Sequence, residues 1–63
     1  MDYKFVRKLM IDKEVTFKDL INKIPTERGG VYGTRAGLIK AMKYSKKNSE
    51  NCKKVADFLL HFK

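Results

Sequence analysis

Thr34-Arg35-Ala36-Gly37-Leu38-Ile39-Lys40-Ala41-Met42-Lys43-Tyr44 is the stretch on which the fold turns. Thr34 has a hydroxyl that can cap a helix N-terminus, and Leu38, Ala41 and Met42 follow at helical spacing. With Leu38 at the centre of the buried face and about 100° of turn per residue, Ala36, Lys40 and Lys43 fall on the opposite side, flanked by Ile39. The expectation is a helix from Thr34 through Tyr44, with Ser45 close behind and a basic exposed stripe.

Working outward, Thr16 followed by Asp19 resembles a capping box, weakened because Asp stands where Glu or Gln is preferred. Phe17, Leu20, Ile21 and Ile24 then predict a short helix that Pro25 stops, because the residue before proline is pushed out of helical geometry. Residues 3–14 set Phe5, Val6, Leu9 and Met10 along one stripe, an amphipathic helix only a residue or two from the next. Residues 25–33 carry three of the four glycines and read as a loop that permits tight reversal. Its spacing matches neither GxxxxGK[ST] nor GxGxxG, which argues against a nucleotide-phosphate cradle. Downstream, Lys46-Lys47-Asn48 is a polar turn. Ser49 or Asn48 caps a fourth helix carrying Cys52, Val55, Ala56, Leu59 and Leu60. Phe58 and Phe62 widen its apolar face to about 200°, more than docking on one core requires. Phe58, Leu60 and Phe62 are therefore the candidate dimer surface. The fold class expected is all-α, a small four-helix bundle forming one domain over residues 1–63, with no internal repeat.

The charge is one-sided. The chain carries a net +8, and residues 28–54 hold Arg28, Arg35, Lys40, Lys43, Lys46, Lys47, Lys53 and Lys54 against Glu50 as the one acid. The remainder is nearly balanced. A concentrated positive field raises the local concentration of a polyanion and speeds its encounter, which points to nucleic acid. A chain of 63 residues buries only about 60% of the surface its unfolded form exposes, so no deep active-site cleft is expected. Cys52 is the single cysteine, which excludes an intramolecular disulfide and a cysteine-based metal site and fits a reducing compartment. Neither a signal-peptide core nor an apolar run of membrane-spanning length is present, so the expected location is cytoplasmic, at the nucleoid. His61 is a lone histidine at an apolar helix end. No nucleophile–base pair or close carboxylate pair can be argued, so no enzyme activity, metal, cofactor, small-molecule substrate or membrane partner is expected.

The stretches Thr16–Ile24 ("TFKDLINKI"), Thr34–Met42 ("TRAGLIKAM") and "NCKKVADFL" resemble the first motif helix, recognition helix and core-closing helix of the phage-repressor-type helix-turn-helix family. This is the Cro/repressor or XRE type, with a lambda-repressor-like fold. The likeness covers most of the chain, and it has three departures. The turn over residues 25–33 is longer than the family's, Ile21 replaces a small residue in mid-helix, and Phe17 replaces a phosphate-contacting amide. The resemblance implies a transcriptional regulator, a repressor of phage or mobile-element type, binding double-stranded DNA as a homodimer. Base contacts would come from Arg35, Ala36 and Lys40. Backbone contacts would come from Thr16, Lys18, Tyr32, Thr34, Lys43, Lys46 and Lys47. The physics runs parallel to this. A helix of about ten residues fits the major groove, arginine can bond guanine O6 and N7 bidentately, and a helix N-terminus favours phosphate. The main rival is a small basic protein-interaction module docking an acidic protein surface. Structured RNA is a third reading, against which Tyr3, Tyr32 and Tyr44 are too dispersed to form a stacking platform.

Overall fold

The computed structural model describes residues 2–61. Helix α1 spans Tyr3–Asp12, and Asp2 caps it by accepting a hydrogen bond from Phe5 N at 2.9 Å. Val6 and Met10 are buried and Leu9 packs against the core, whereas Phe5, a quarter-turn round from Val6, is 49% exposed. The helix stops two residues short of the expected end. Glu14 takes φ 57°, its N–H bonds Ile11 O at 3.1 Å, and Val15 N bonds Met10 O at 2.8 Å. These are the paired bonds of a Schellman motif, and its apolar clasp is formed by buried Val15 and Met10. A left-handed glutamate marks this end where glycine is usual, so the sequence carried no stop signal.

Helix α2 is a single turn, Phe17–Leu20. Expected to run to Ile24, it ends four residues early because Ile21 is extended (ψ 136°) and Asn22 is left-handed (φ 66°). Asn is one of the few residues that enter this region readily. Asn22 N then bonds Tyr32 O at 2.8 Å instead of a carbonyl one helical turn back. That bond opens a narrow antiparallel reversal: Tyr32 N bonds Ile24 O at 3.0 Å, Thr26 N bonds Gly30 O at 2.8 Å, and Pro25 faces Val31. Gly29, at φ 92°, makes the tip. The connection between α2 and the next helix therefore covers residues 21–34, longer than the nine-residue loop expected.

Helix α3 spans Arg35–Lys43, with Thr34 Oγ1 accepting from Gly37 N at 3.1 Å as the spacing predicted. Helix α4 spans Asn48–Leu60. Neither Asn48 nor Ser49 caps it. Lys47 occupies the cap position, and Ser45 Oγ accepts from Lys47 N at 3.1 Å. Helix α4 packs against both α1 and α3. One core gathers Val6, Met10, Leu20, Leu38, Val55 and Leu59, and Phe17, Ile24 and Met42 join it.

The last carbonyls of α3 have no partners within their own helix. Helix α4 supplies two of them: Asn51 Nδ2 donates to Ala41 O at 2.9 Å, and the Cys52 thiol donates to Met42 O at 3.4 Å. Burial, and secondarily the charge of Asp2, push the Cys52 thiol above its ordinary pKa, which keeps it protonated as that donor. Lys54 Nζ reaches Pro25 O at 3.0 Å and Lys47 Nζ reaches Glu27 Oε2 at 3.4 Å, tying the reversal to α4. The chain is all-α, with four helices and no strand among the described residues. The second of the four helices is a single turn. Among the described residues no helix is long and apolar enough to cross a membrane.

Candidate nucleic-acid interface

The candidate surface is built on α3. Leu38 and Met42 anchor its inner face, Ile39 is half-buried, and Arg35, Ala36, Lys40 and Lys43 are exposed. Ala36, Lys40 and Lys43 form one stripe at i, i+4, i+7. Arg35 lies about 100° round from Ala36 and turns back toward α2. Its guanidinium sits over the Phe17 ring, 5.4 Å from the centroid. Phe17 is buried in the core. Thr34 caps Gly37 N, while the N–H groups of Arg35 and Ala36, being in the first turn, have no helical acceptors at the positive end of the α3 dipole. Lys40 and Lys43 stand in the last turn, where positive charge also stabilises the helix end.

The expected site residues separate into three groups. Thr16, Lys18 and Arg35 line one groove beside α2. Ala36, Lys40 and Lys43 make the α3 stripe, and Tyr32 lies beside Lys40 with its ring packed against the core. Lys46 and Lys47 occupy the turn between α3 and α4. The Lys43 ammonium lies 5.2 Å from the Tyr3 ring centroid and 5.5 Å from that of Tyr44. Lys47 is partly engaged by Glu27, an acid that the linear sequence places upstream of the basic segment and the fold returns to it. Both side chains are more than half exposed, so the pair is worth at most about 1 kcal/mol and is easily exchanged for a phosphate. Thr16 is drawn into the α2 cap: Asp19 Oδ2 accepts from Thr16 N at 2.9 Å and from its hydroxyl at 3.1 Å. These two bonds, the backbone one first, hold the Asp19 carboxyl below its ordinary pKa.

Two cations on this side were not among the expected contact residues, although Arg28 belongs to the basic segment 28–54. Arg7 of α1 lies 4.9 Å from the centroid of the same Phe17 ring, and Arg28 lines the groove with Tyr32 and Lys40. Arg7 was hidden because it lies outside the basic segment, in the remainder of the chain, whose charges nearly balance. Of the candidate dimer residues, Phe58 is half-buried against the core, Leu60 is 60% exposed, and Phe62 lies outside the described residues. Among the described residues no group of three acidic, histidine or cysteine side chains could hold a metal. No family model, curated protein or solved structure matches this chain.

Proposed function

We propose that this chain binds double-stranded DNA through the exposed face of α3, as a transcriptional regulator of the helix-turn-helix type. The observation that carries the reading is the acid-free stripe Ala36–Lys40–Lys43, on a nine-residue helix that is backed by α4 and opens at a threonine-capped N-terminus. An α-helix with its side chains is about 10–12 Å across, which fits a major groove about 12 Å wide. In this reading α2 and α3 are the motif helices, joined by an extended connection, and α3 is the recognition helix. Ala36 and Lys40 reach base edges, and Arg35 joins them by swinging off Phe17. Lys43, Lys46 and the N–H groups at the start of α3 meet phosphates, with Thr34, Tyr32, Lys47, Thr16 and Lys18 around them. Phosphate contacts position the helix and base contacts specify the site.

Repression of phage or mobile-element type follows from the family resemblance and belongs to the same proposal, as does action in the cytoplasm at the nucleoid. A homodimer is part of the proposal, because one small module buries little surface and two half-sites one turn apart multiply recognition. Fluorescence anisotropy with labelled duplexes over a salt series tests the reading. With four to six phosphates neutralised per subunit, log affinity falls against log salt with a slope of about −4 to −5. A flat salt response, or no binding at low salt, overturns it.

A further inference from the structure

An uncovered apolar surface runs along α1 into α2, on a part of the molecule that the DNA reading leaves largely unused. Ile11 is 65% exposed and Phe5 is 49% exposed. A groove of about 510 Å³ over Tyr3 and Phe5 shares Arg7 and Ile11 with a second groove of about 770 Å³. The floor of the second is Met10, Val15, Phe17 and Ile21. The rim is cationic: Lys4, Arg7, Lys8, Lys18 and Arg35 stand against Glu14. Arg7 and Arg35 converge on one Phe17 ring, at 4.9 and 5.4 Å from its centroid, and the ion pair found among the described residues, Lys47–Glu27, involves neither.

We propose that this groove docks an acidic amphipathic helix of a partner protein. Apolar side chains at i, i+3/i+4 and i+7 of the partner lie over Ile11 and Phe17, and flanking Asp or Glu side chains meet Arg7 and Arg35. Charge complementarity selects this occupant. A second copy presenting this same face brings cations against cations, since its rim is cationic too. A sugar–phosphate backbone pairs with the rim but offers nothing to bury against Ile11 and Phe5. The inference stands apart from the DNA reading. Where both hold, Arg35 belongs to both surfaces, so partner helix and duplex exclude one another.

The test is an NMR titration of the full chain with a synthetic helix of about 16 residues, Leu on one face and Glu on its flanks, and with the same peptide carrying Lys for every Glu. The acidic peptide should give saturable shifts at Ile11, Phe5 and Phe17 and bind at least about tenfold tighter than the basic one. Arg7→Glu should weaken the acidic peptide by about tenfold and restore binding of the basic one, whereas Lys53→Glu on α4, the same charge change, should stay within about twofold. Ile11→Ser should lose about tenfold with helical content unchanged, since that side chain is exposed. If Arg7→Glu does not fold, Ile11→Ser and Lys18→Glu carry the comparison. The proposal is overturned by any of four results: no saturable shift in the groove, equal binding of the two peptides, equal losses for Arg7→Glu and Lys53→Glu, or duplex DNA shifting Ile11 and Phe5 as the peptide does.

Discussion

Asn51→Ala tests how the orientation of α3 is held. Asn51 is 6% exposed, and its Nδ2 is the donor to Ala41 O at 2.9 Å. Removing it leaves a carbonyl of the last α3 turn unsatisfied beside the core, at a cost of about 1–3 kcal/mol. Alanine is the better helix former by about 0.5 kcal/mol, which brings the net loss to about 0.5–2.5 kcal/mol. For a chain of this length, whose total stability is about 3–9 kcal/mol, that loss is a large fraction. A net loss of about 1.5 kcal/mol lowers the thermal midpoint by about 6–12 °C, read by circular dichroism at 222 nm. Asn51→Asp should be worse at neutral pH, because it removes the donor and sets a negative charge at the negative end of the α3 dipole. Its buried carboxyl has a raised folded pKa, so the deficit should shrink below the unfolded carboxylate pKa, where the protonated group donates again, and grow as pH rises. A midpoint for Asn51→Ala within about 2 °C of the parent refutes the reasoning and means that water replaces the side chain.

Glu14→Gly should stabilise the protein by about 0.5–1 kcal/mol in urea unfolding, because glycine occupies the left-handed Schellman position without the Cβ penalty; destabilisation would show that the glutamate side chain outweighs the strain. Asp19 has a depressed folded pKa, so its support of α2 is fully present above the unfolded value of 3.8 and is lost as pH falls through the folded value. An NMR titration of its carboxyl carbon should report that lowered midpoint, and Thr16→Val should raise it part of the way. Arg35→Ala should cost about 1–3 kcal/mol against a preferred duplex and relax discrimination, whereas Lys46→Ala should weaken all duplexes alike. Equal losses on preferred and scrambled DNA would make Arg35 a phosphate anchor.

What was legible in the sequence was whatever rests on side-chain periodicity and a local cap. Helix α3, its Thr34 cap, its inner residues Leu38 and Met42 and its outward basic stripe all lie where spacing placed them. The helix ends were not legible, because they are set by backbone choices that residue type only weakly marks. Glu14 enters the left-handed region without glycine, and Ile21 and Asn22 close α2 well before Pro25, the stop that the sequence marks. The cap of α4 was misread because the helix begins earlier than expected: Asn48 and Ser49 are already helical, and Lys47 takes the cap position without a side-chain cap bond. Long-range partners were invisible as well. Glu27 returns to Lys47, Lys54 holds Pro25 O, and Arg7 arrives beside Arg35 only because the fold lays α1 next to α2.

The most direct measurement of the central claim is a two-dimensional NMR titration of the full chain with duplex DNA at two salt concentrations. If α3 is the reading head, amide shifts concentrate in residues 32–47, lead at Arg35, Ala36, Lys40 and Lys43, and shrink steeply at the higher salt. Shifts concentrated on residues 3–14, or no shifts at low salt, contradict the account.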